Sequence, residues 1–341
     1  MSIEFLCSWI NFVGEKYLNY VKKYPLVSNY ALFNIYRLLK WVAHKFDGLS
    51  QVERLCLGFV DRTWEKTVMA IYVQLILSER LRGPLDDMLN DDLEDVLKSI
   101  MSIKKISDNS KTVRILKLSI VLYRALKFRQ ITEASSEEVK WENDGMTCTS
   151  IYEAIFPKDG ELQPEPNASG KEGMNWVSLG FQGNDPSTDF RNTGKFGLGC
   201  YYSFCINGTA VARQLVVESG SYNGDLKRPW YPFALVSIHI SSFLMEEVIE
   251  DTSFVPLKAL ALSAMSAIQE QITKYLLADM SDGSMADMIA FTLEKQLYSL
   301  HSSLLQGFHR HWQNDVITGK VKTVLDCECC LERYKILCSI K

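Results

Sequence analysis

The side chain best placed to do chemistry is Arg191, within the run Trp176-Val-Ser-Leu-Gly180-Phe181-Gln182-Gly183-Asn-Asp185-Pro186-Ser-Thr188-Asp189-Phe190-Arg191-Asn-Thr-Gly194-Lys-Phe-Gly197-Leu198-Gly199. Five of the 19 glycines fall between residues 180 and 199, among the rings Trp176, Phe181 and Phe190. Glycines allow tight backbone and rings supply anchors, so the run reads as a packed loop able to hold a side chain in place. Asp185 before Pro186 fits an N-cap with proline at the first helical position, starting a short turn that carries Arg191 about one and a half turns later. The residues alone leave two outcomes open. Either the guanidinium projects from an ordered base, or it neutralises Asp185 or Asp189 within the fold.

Other clusters offer less. His309 and His311 lie two apart, so on one helix they point to different sides and cannot share a metal. Cys327, Cys329 and Cys330 with the distant Cys338 lack the second spaced pair that a four-thiolate site uses; acylation near a membrane is the competing reading. Cys338-Ser-Ile-Lys341 has the outline of a prenylation box but ends on an unusual lysine, and Ser2 in place of glycine excludes N-myristoylation. No GxxxxGK[ST] loop occurs, so no nucleotide is expected on a P-loop of this chain.

The central run resembles the signature of the ELMO domain. Trp176, Gly180, Phe181, Gln182, Pro186, Thr188, Asp189, Phe190, Arg191, Gly194, Leu198 and Phe204 keep the family spacing. Asn192 stands where glycine is usual and Tyr201 where leucine is usual. Weaker resemblance extends through Ile151 to Pro157, Tyr231 to Leu235 and Phe308 to Trp312, covering about residues 110–316, and Leu32 to Cys56 is similar to the basic N-terminal region of the short ELMO-domain-containing proteins. The resemblance implies a GTPase-activating protein for small GTPases of the Arf and Arl group, with Arg191 donated to the nucleotide site. GTP and Mg²⁺ would come with the partner, and the chain would hold no cofactor or metal of its own. Gln182 would help orient the arginine or the attacking water, or sit buried holding the loop backbone. Trp176, Phe181 and Phe190 are expected in the core, with Gly180, Pro186, Asp189 and Gly194 shaping the loop. The alternative is a non-catalytic adaptor that binds a small GTPase or an exchange factor, as the longer ELMO scaffolds do, or a member inactivated by Asn192. The absence of repeats and of a PxxP tail favours the short class.

Composition sets the frame. The 341 residues are 47% apolar or aromatic, and Lys+Arg 37 against Asp+Glu 41 gives a net charge of −4, too balanced for a protein that binds nucleic acid by neutralising phosphates. Nine cysteines, odd in number and irregularly spaced, behind an N-terminus that Glu4 and Trp9 break as a leader, point to the reducing cytosol. No apolar stretch is long enough to span a bilayer; Asn167 and Asn207 then read as chance sequons.

The elements that must position the site are helices. Ile3, Leu6, Ile10, Val13, Tyr17, Tyr20 and Tyr24 share one side of a helix ended by Pro25, and Leu32, Ile35, Leu39, Val42 and Phe46 repeat the spacing between Asn29 and Gly48. The pair reads as a hairpin. Residues 1–46 hold six Lys/Arg against two Glu and 11 of 38 aromatics, so the hairpin either packs on the core or leans on an anionic membrane with Lys22, Lys23, Lys40 and Lys45 near headgroups. Ser50 to Glu53 has the form of a capping box. Helices are expected over about 61–82, 84–104, 112–130, 252–278 and 285–316, the last burying Met285, Met288, Leu297, Leu300, Leu304, Phe308 and Trp312. Val236, Ile238 and Ile240 alternate with Ser237, His239 and Ser241 as a strand would, but no second run can pair with them, so helix is favoured. The expectation is an all-α protein: a basic, aromatic hairpin at 1–48, a single large helical domain at 49–316 with a mobile loop near 157–173, and a Cys-rich tail at 317–341. It would be cytoplasmic, peripheral on endomembranes.

Overall fold

The computed structural model describes residues 3–23, 30–58, 64–78, 81, 92–127, 137–160, 162–222, 229–249, 263–277 and 280–339. Tyr24, Pro25, Asn29, Ile340, Lys341 and the outer parts of several expected helices (61–63, 82, 84–91, 128–130, 252–262) lie outside the described residues, as do the side chains of Tyr20, Lys22 and Lys23. Among the described residues every regular element is helical. By internal contacts the chain forms two compact units, Met1–Arg129 with Asp251–Leu293, and Gln130–Glu250 with Glu294–Lys341.

The first unit contains α1 (Ile3–Lys23), α2 (Tyr30–Asp47), α3 (Gln51–Leu57), α4 (Trp64–Ile76), α5 (Leu93–Lys104), α6 (Ser110–Lys127) and α11 (Gln269–Leu276). Leu6, Ile10 and Val13 of α1 pack with Tyr36 and Ala43 of α2, and Cys7 joins Val52, Leu55 and the buried side chains of α4, α5 and α6. The stripe read from the spacing of α2 is not its inner face: Ile35 and Phe46 are exposed, while Tyr36 and Ala43 are buried. α2 is apolar on more than one side, so spacing alone does not choose the inner face; Tyr36 goes inward because its hydroxyl donates to Gln74 Oε1 at 2.6 Å. α6 buries Ile115, Leu116, Leu118, Ile120, Val121 and Leu122, a helix hidden on nearly all sides as its sequence implied.

Half of the capping box forms. Ser50 caps α3 by accepting from Glu53 N, but the Glu53 carboxylate does not turn back. It accepts from Ser107 N at 3.1 Å and from the Ser107 hydroxyl, 54 residues away. A buried carboxylate takes the partners that satisfy it best, and the turn after α5 offers two donors.

The second unit contains α7 (Trp141–Ile155), α8 (Gly194–Asn207), α9 (Thr209–Glu218), α10 (Phe233–Ile249) and α13 (Cys327–Ser339); α12 (Asp282–Ile317) is divided between the units. α10 is a helix despite its alternating pattern. Val236, Ser237, Ile238, Ile240 and Ser241 are all buried, so the polar side narrows to a stripe of exposed His239, half-buried Ser242 and exposed Glu246 at helical spacing, and each serine finds a local acceptor or a histidine. Ser241 Oγ donates to Ser237 O at 3.1 Å, and His301 Nε2 lies 3.0 Å from Ser237 O. α12 buries Met285, Ile289, Leu293, Leu297, Leu304, Leu305, Phe308 and Trp312; Met288 and Leu300, expected in that stripe, are half-buried. Past residue 317, α13 buries Cys330 and Leu331, and no helix among the described residues is long and apolar enough to cross a membrane.

Candidate functional site

The signature folds as two short 3₁₀ turns, Trp176–Leu179 and Pro186–Phe190, leading into α8. Its rings make the base. Trp176 meets Trp141 and Tyr152 of α7 edge-on, with centroids 5.8 and 5.2 Å away, then Phe181 at 6.0 Å. Phe181 in turn meets Phe190 at 5.9 Å and Tyr201 at 5.7 Å. Trp176, Phe181, Phe190 and Tyr201 are all buried, so the rings are core, as their size demanded. The Trp176 indole N–H is not wasted; it donates to Lys171 O at 3.1 Å.

Glycine is required at two points of this base. Gly180 has φ +88, and a Cβ there would lie 2.3 Å from Phe233 N. The loop backbone therefore rests directly on the start of α10, where Leu235 N donates to Gly180 O at 3.3 Å. Gly194 opens α8 at φ +49. Asn192 lies outside the positive-φ region, so asparagine in place of the usual glycine imposes no backbone strain. Tyr201 fills the usual leucine position with a buried ring whose hydroxyl lies beside Cys205.

Polar groups fix the outer edge. Asp185 is the N-cap of the second turn: its Oδ1 accepts from Ser187 N at 3.0 Å and from Ser187 Oγ at 2.5 Å. Pro186 follows, buried, at the first position. Asp185 Oδ2 pairs with Lys171 Nζ at 3.3 Å, and although burial raises its carboxyl, the Ser187 and Lys171 contacts outweigh that and hold it below the ordinary value. Asp189 Oδ2 accepts from Gln182 N at 2.8 Å, bridging the two turns. Burial pushes the Asp189 carboxyl up, against the Gln182 hydrogen bond and the Arg191 charge. The Gln182 side chain is exposed and is not packed inside the loop.

Arg191 stands at the end of the second turn. It is exposed, and its Nε donates to Thr188 O at 2.8 Å. Among the described residues the guanidinium makes no ion pair and its two terminal nitrogens make no hydrogen bond. Both aspartates offered as neutralising partners are engaged elsewhere, Asp185 by Lys171 and Ser187, Asp189 by Gln182. One nitrogen is thus tied to its own turn while the other two form an open fork. Lys171 is the contributor that sequence reasoning missed. It lies outside the motif in a polar loop, and no periodicity marks it. Described residues of that loop make hydrogen bonds: Asn175 Nδ2 donates to Glu165 O at 3.1 Å, Tyr222 OH to Gln163 O at 2.9 Å, and Asn167 Nδ2 to Asn184 Oδ1 at 2.7 Å.

The remaining chemistry-bearing residues have separate partners. His309 bonds to the Tyr231 hydroxyl through Nδ1 and to Glu218 through Nε2, each at 2.8 Å, whereas His311 turns to Asp315. The ligand atoms of His311, Asp315 and Cys330 fall within 4.8 Å of one another. Arg333 and Lys320 approach the same carboxylate at 2.8 and 3.7 Å, so its charge is already balanced by cations. All nine cysteines are free.

The ELMO/CED-12 family model matches residues 95–328, a span that contains the whole signature. The chain is 26% identical over 220 residues to ELMO domain-containing protein B of Dictyostelium discoideum, covering 62% of this chain and 73% of that protein. It is 26% identical over 220 residues to ELMO domain-containing protein 1 of Bos taurus, covering 61% and 67%. Against ELMO domain-containing protein 2 of Mus musculus it is 23% identical over 207 residues, covering 60% and 67%. No solved structure matches. With the family model covering more than half of the chain and the twelve spaced residues inside it, the protein belongs to the ELMO/CED-12 family.

Proposed function

We propose that the protein activates GTP hydrolysis by small GTPases of the Arf and Arl group, donating Arg191 in trans. Water attacks the γ-phosphorus, the bond to the β,γ-bridging oxygen breaks, and GDP and phosphate leave. Negative charge spreads over the γ-phosphoryl oxygens and the departing bridge oxygen, and a guanidinium fork placed there is worth about 10³–10⁵ in rate. The partner carries GTP and Mg²⁺; this chain supplies the cation and its positioning. The observation that carries the reading is Arg191 itself, exposed on a ring-anchored turn, held through Nε to Thr188 O, with its terminal nitrogens open. Such preorganisation lowers the cost of placing a charge where the transition state needs it. Gln182, exposed and linked to Asp189 through its backbone, is positioned to contact the partner beside the arginine.

Single-turnover hydrolysis by a panel of GTP-loaded Arf and Arl proteins tests this. The native chain should stimulate at least one of them, and Arg191→Ala and Arg191→Lys should lose most of the stimulation while still binding. Lysine fails because its single nitrogen cannot both hold Thr188 O and reach the phosphoryl oxygens. Equal stimulation by native and variant chains rejects the assignment, and binding without stimulation by the native chain assigns the adaptor role.

A further inference from the structure

The N-terminal hairpin has two apolar faces, and among the described residues only one of them is packed. The inner face is fixed by contacts: Gln51 Nε2 of α3 reaches Cys7 O at 3.3 Å and Asn11 Oδ1 at 3.2 Å, and Tyr36 reaches Gln74 of α4. At about 100° per residue, Trp9, Phe12 and Lys16 fall on the side of α1 opposite Cys7 and Asn11, and Leu38, Trp41 and Lys45 on the side of α2 opposite Tyr36. Both rows therefore look away from the helices that the hairpin lies on. Trp9 is 45% exposed, Phe12 54%, Leu38 57% and Trp41 58%, which is a continuous apolar surface of a kind that soluble proteins seldom leave to water. Ile35 and Phe46 are exposed on the flank of α2.

Among the described residues, the charges on that face are of one sign. Lys16 Nζ lies 5.6 Å from the Phe12 ring centroid and Lys45 Nζ 5.8 Å from that of Trp41, and Arg37 projects beside Phe33. Phe12 and Trp41 thus each carry an ammonium over the ring, a pairing that suits the boundary between acyl chains and phosphate headgroups. There the ring enters the apolar layer while the cation stays among the anions. A protein partner would cover the rings equally well but would need acids matched to each lysine. A bilayer bearing anionic lipid supplies charge everywhere along the face, and no helix among the described residues is able to cross one.

We infer that the outer face of the α1–α2 hairpin docks on an anionic membrane surface, inserting Trp9, Phe12, Leu38 and Trp41 to headgroup depth with Lys16 and Lys45 on lipid phosphates. The inference stands apart from the reading of Arg191: an Arg191→Ala chain binds vesicles like the native one, so the two can fail separately. The test is co-sedimentation of the full chain with vesicles of phosphatidylcholine alone and of phosphatidylcholine with phosphatidylserine, at low and high salt. The native chain should sediment with the anionic vesicles, less so at high salt, with a blue shift of tryptophan emission. Trp9→Ser with Trp41→Ser should weaken partitioning at least about tenfold, since each removes a half-exposed ring from the apolar layer. Lys16→Gln with Lys45→Gln should weaken it about fivefold per charge. These side chains point to solvent, so unchanged thermal unfolding is expected and confirms that each variant is folded. Absence of sedimentation, or equal sedimentation of native and double variants, overturns the proposal. Sedimentation-equilibrium dimerisation that the tryptophan variant abolishes, without vesicle binding, assigns the face to a second copy instead and equally overturns it.

Discussion

Replacing Gly180 by alanine tests whether the signature loop is held by backbone resting on backbone. The residue sits at φ +88, and an added Cβ would lie 2.3 Å from Phe233 N, 2.7 Å from Pro232 C and 2.9 Å from Ala234 N. None of these atoms can rotate away, because all belong to the main chain at the start of α10. The left-handed backbone costs an L-residue about 1–2 kcal/mol, and overpacking against fixed atoms adds roughly 1–3 kcal/mol. Together they amount to about 2–5 kcal/mol, equivalent to a fall of roughly 3–7 °C in melting temperature for a protein of this size. Differential scanning calorimetry measures it. The control is Gly183→Ala, three residues along the same loop. There no atom lies within 4 Å of the added Cβ and φ is not positive, so the change should stay within about 0.5 kcal/mol. If the loop moves instead of the protein unfolding, the Gly180 variant should also lose the proposed stimulation of GTP hydrolysis, since displacement of about 1 Å at a catalytic group costs on the order of a hundredfold. A Gly180→Ala protein that melts within about 1 °C of native would refute the account of how the loop is seated.

Two further predictions probe other links. Asp189 accepts from Gln182 N and makes no ion pair with Arg191, so Asp189→Asn, which keeps the acceptor, should cost under about 1 kcal/mol, and Asp189→Ala about 1–2 kcal/mol in urea unfolding. A double-mutant cycle of Asp189→Asn with Arg191→Ala should show stability coupling below about 0.5 kcal/mol; stronger coupling would mean the two form an ion pair after all. Buried His301 has its pKa lowered from 6.5 to about 4 by desolvation. The unfolded chain takes up that proton near pH 6.5 and the folded chain does not until near pH 4, so stability is full above the first value and falls between the two. The loss totals about 3 kcal/mol, with about 2 kcal/mol gone by roughly pH 5. His301→Gln keeps a donor for Ser237 O, so the native-minus-variant difference in urea midpoint should shrink as pH falls through that window; a constant difference refutes it.

How far these features were legible in the sequence depends on whether their partners are near in the chain. The turn from Asp185 to Arg191 was readable because cap, proline and arginine lie within seven residues and act through local backbone geometry. The burial of Trp176, Phe181 and Phe190 followed from ring size. By contrast Glu53 meets Ser107, His301 meets Ser237 and Tyr231 meets His309, pairings across 54 to 78 residues that no local pattern announces. The hairpin shows a different obstacle. A helix with apolar residues on two sides satisfies the same three-and-four spacing in more than one register, so the stripe through Ile35 and Phe46 does not identify the inner face, which Tyr36 and Ala43 hold. What breaks the degeneracy is a polar atom, the Tyr36 hydroxyl, that must find an acceptor when buried. The same reasoning applies to Arg191. Its Nε is satisfied within its own turn while its fork stays open to solvent, and the acids that would have claimed it are held by Lys171, Ser187 and Gln182. A charge kept ordered yet unclaimed has its positioning settled by the fold in advance, which is the condition for it to act on another protein's nucleotide.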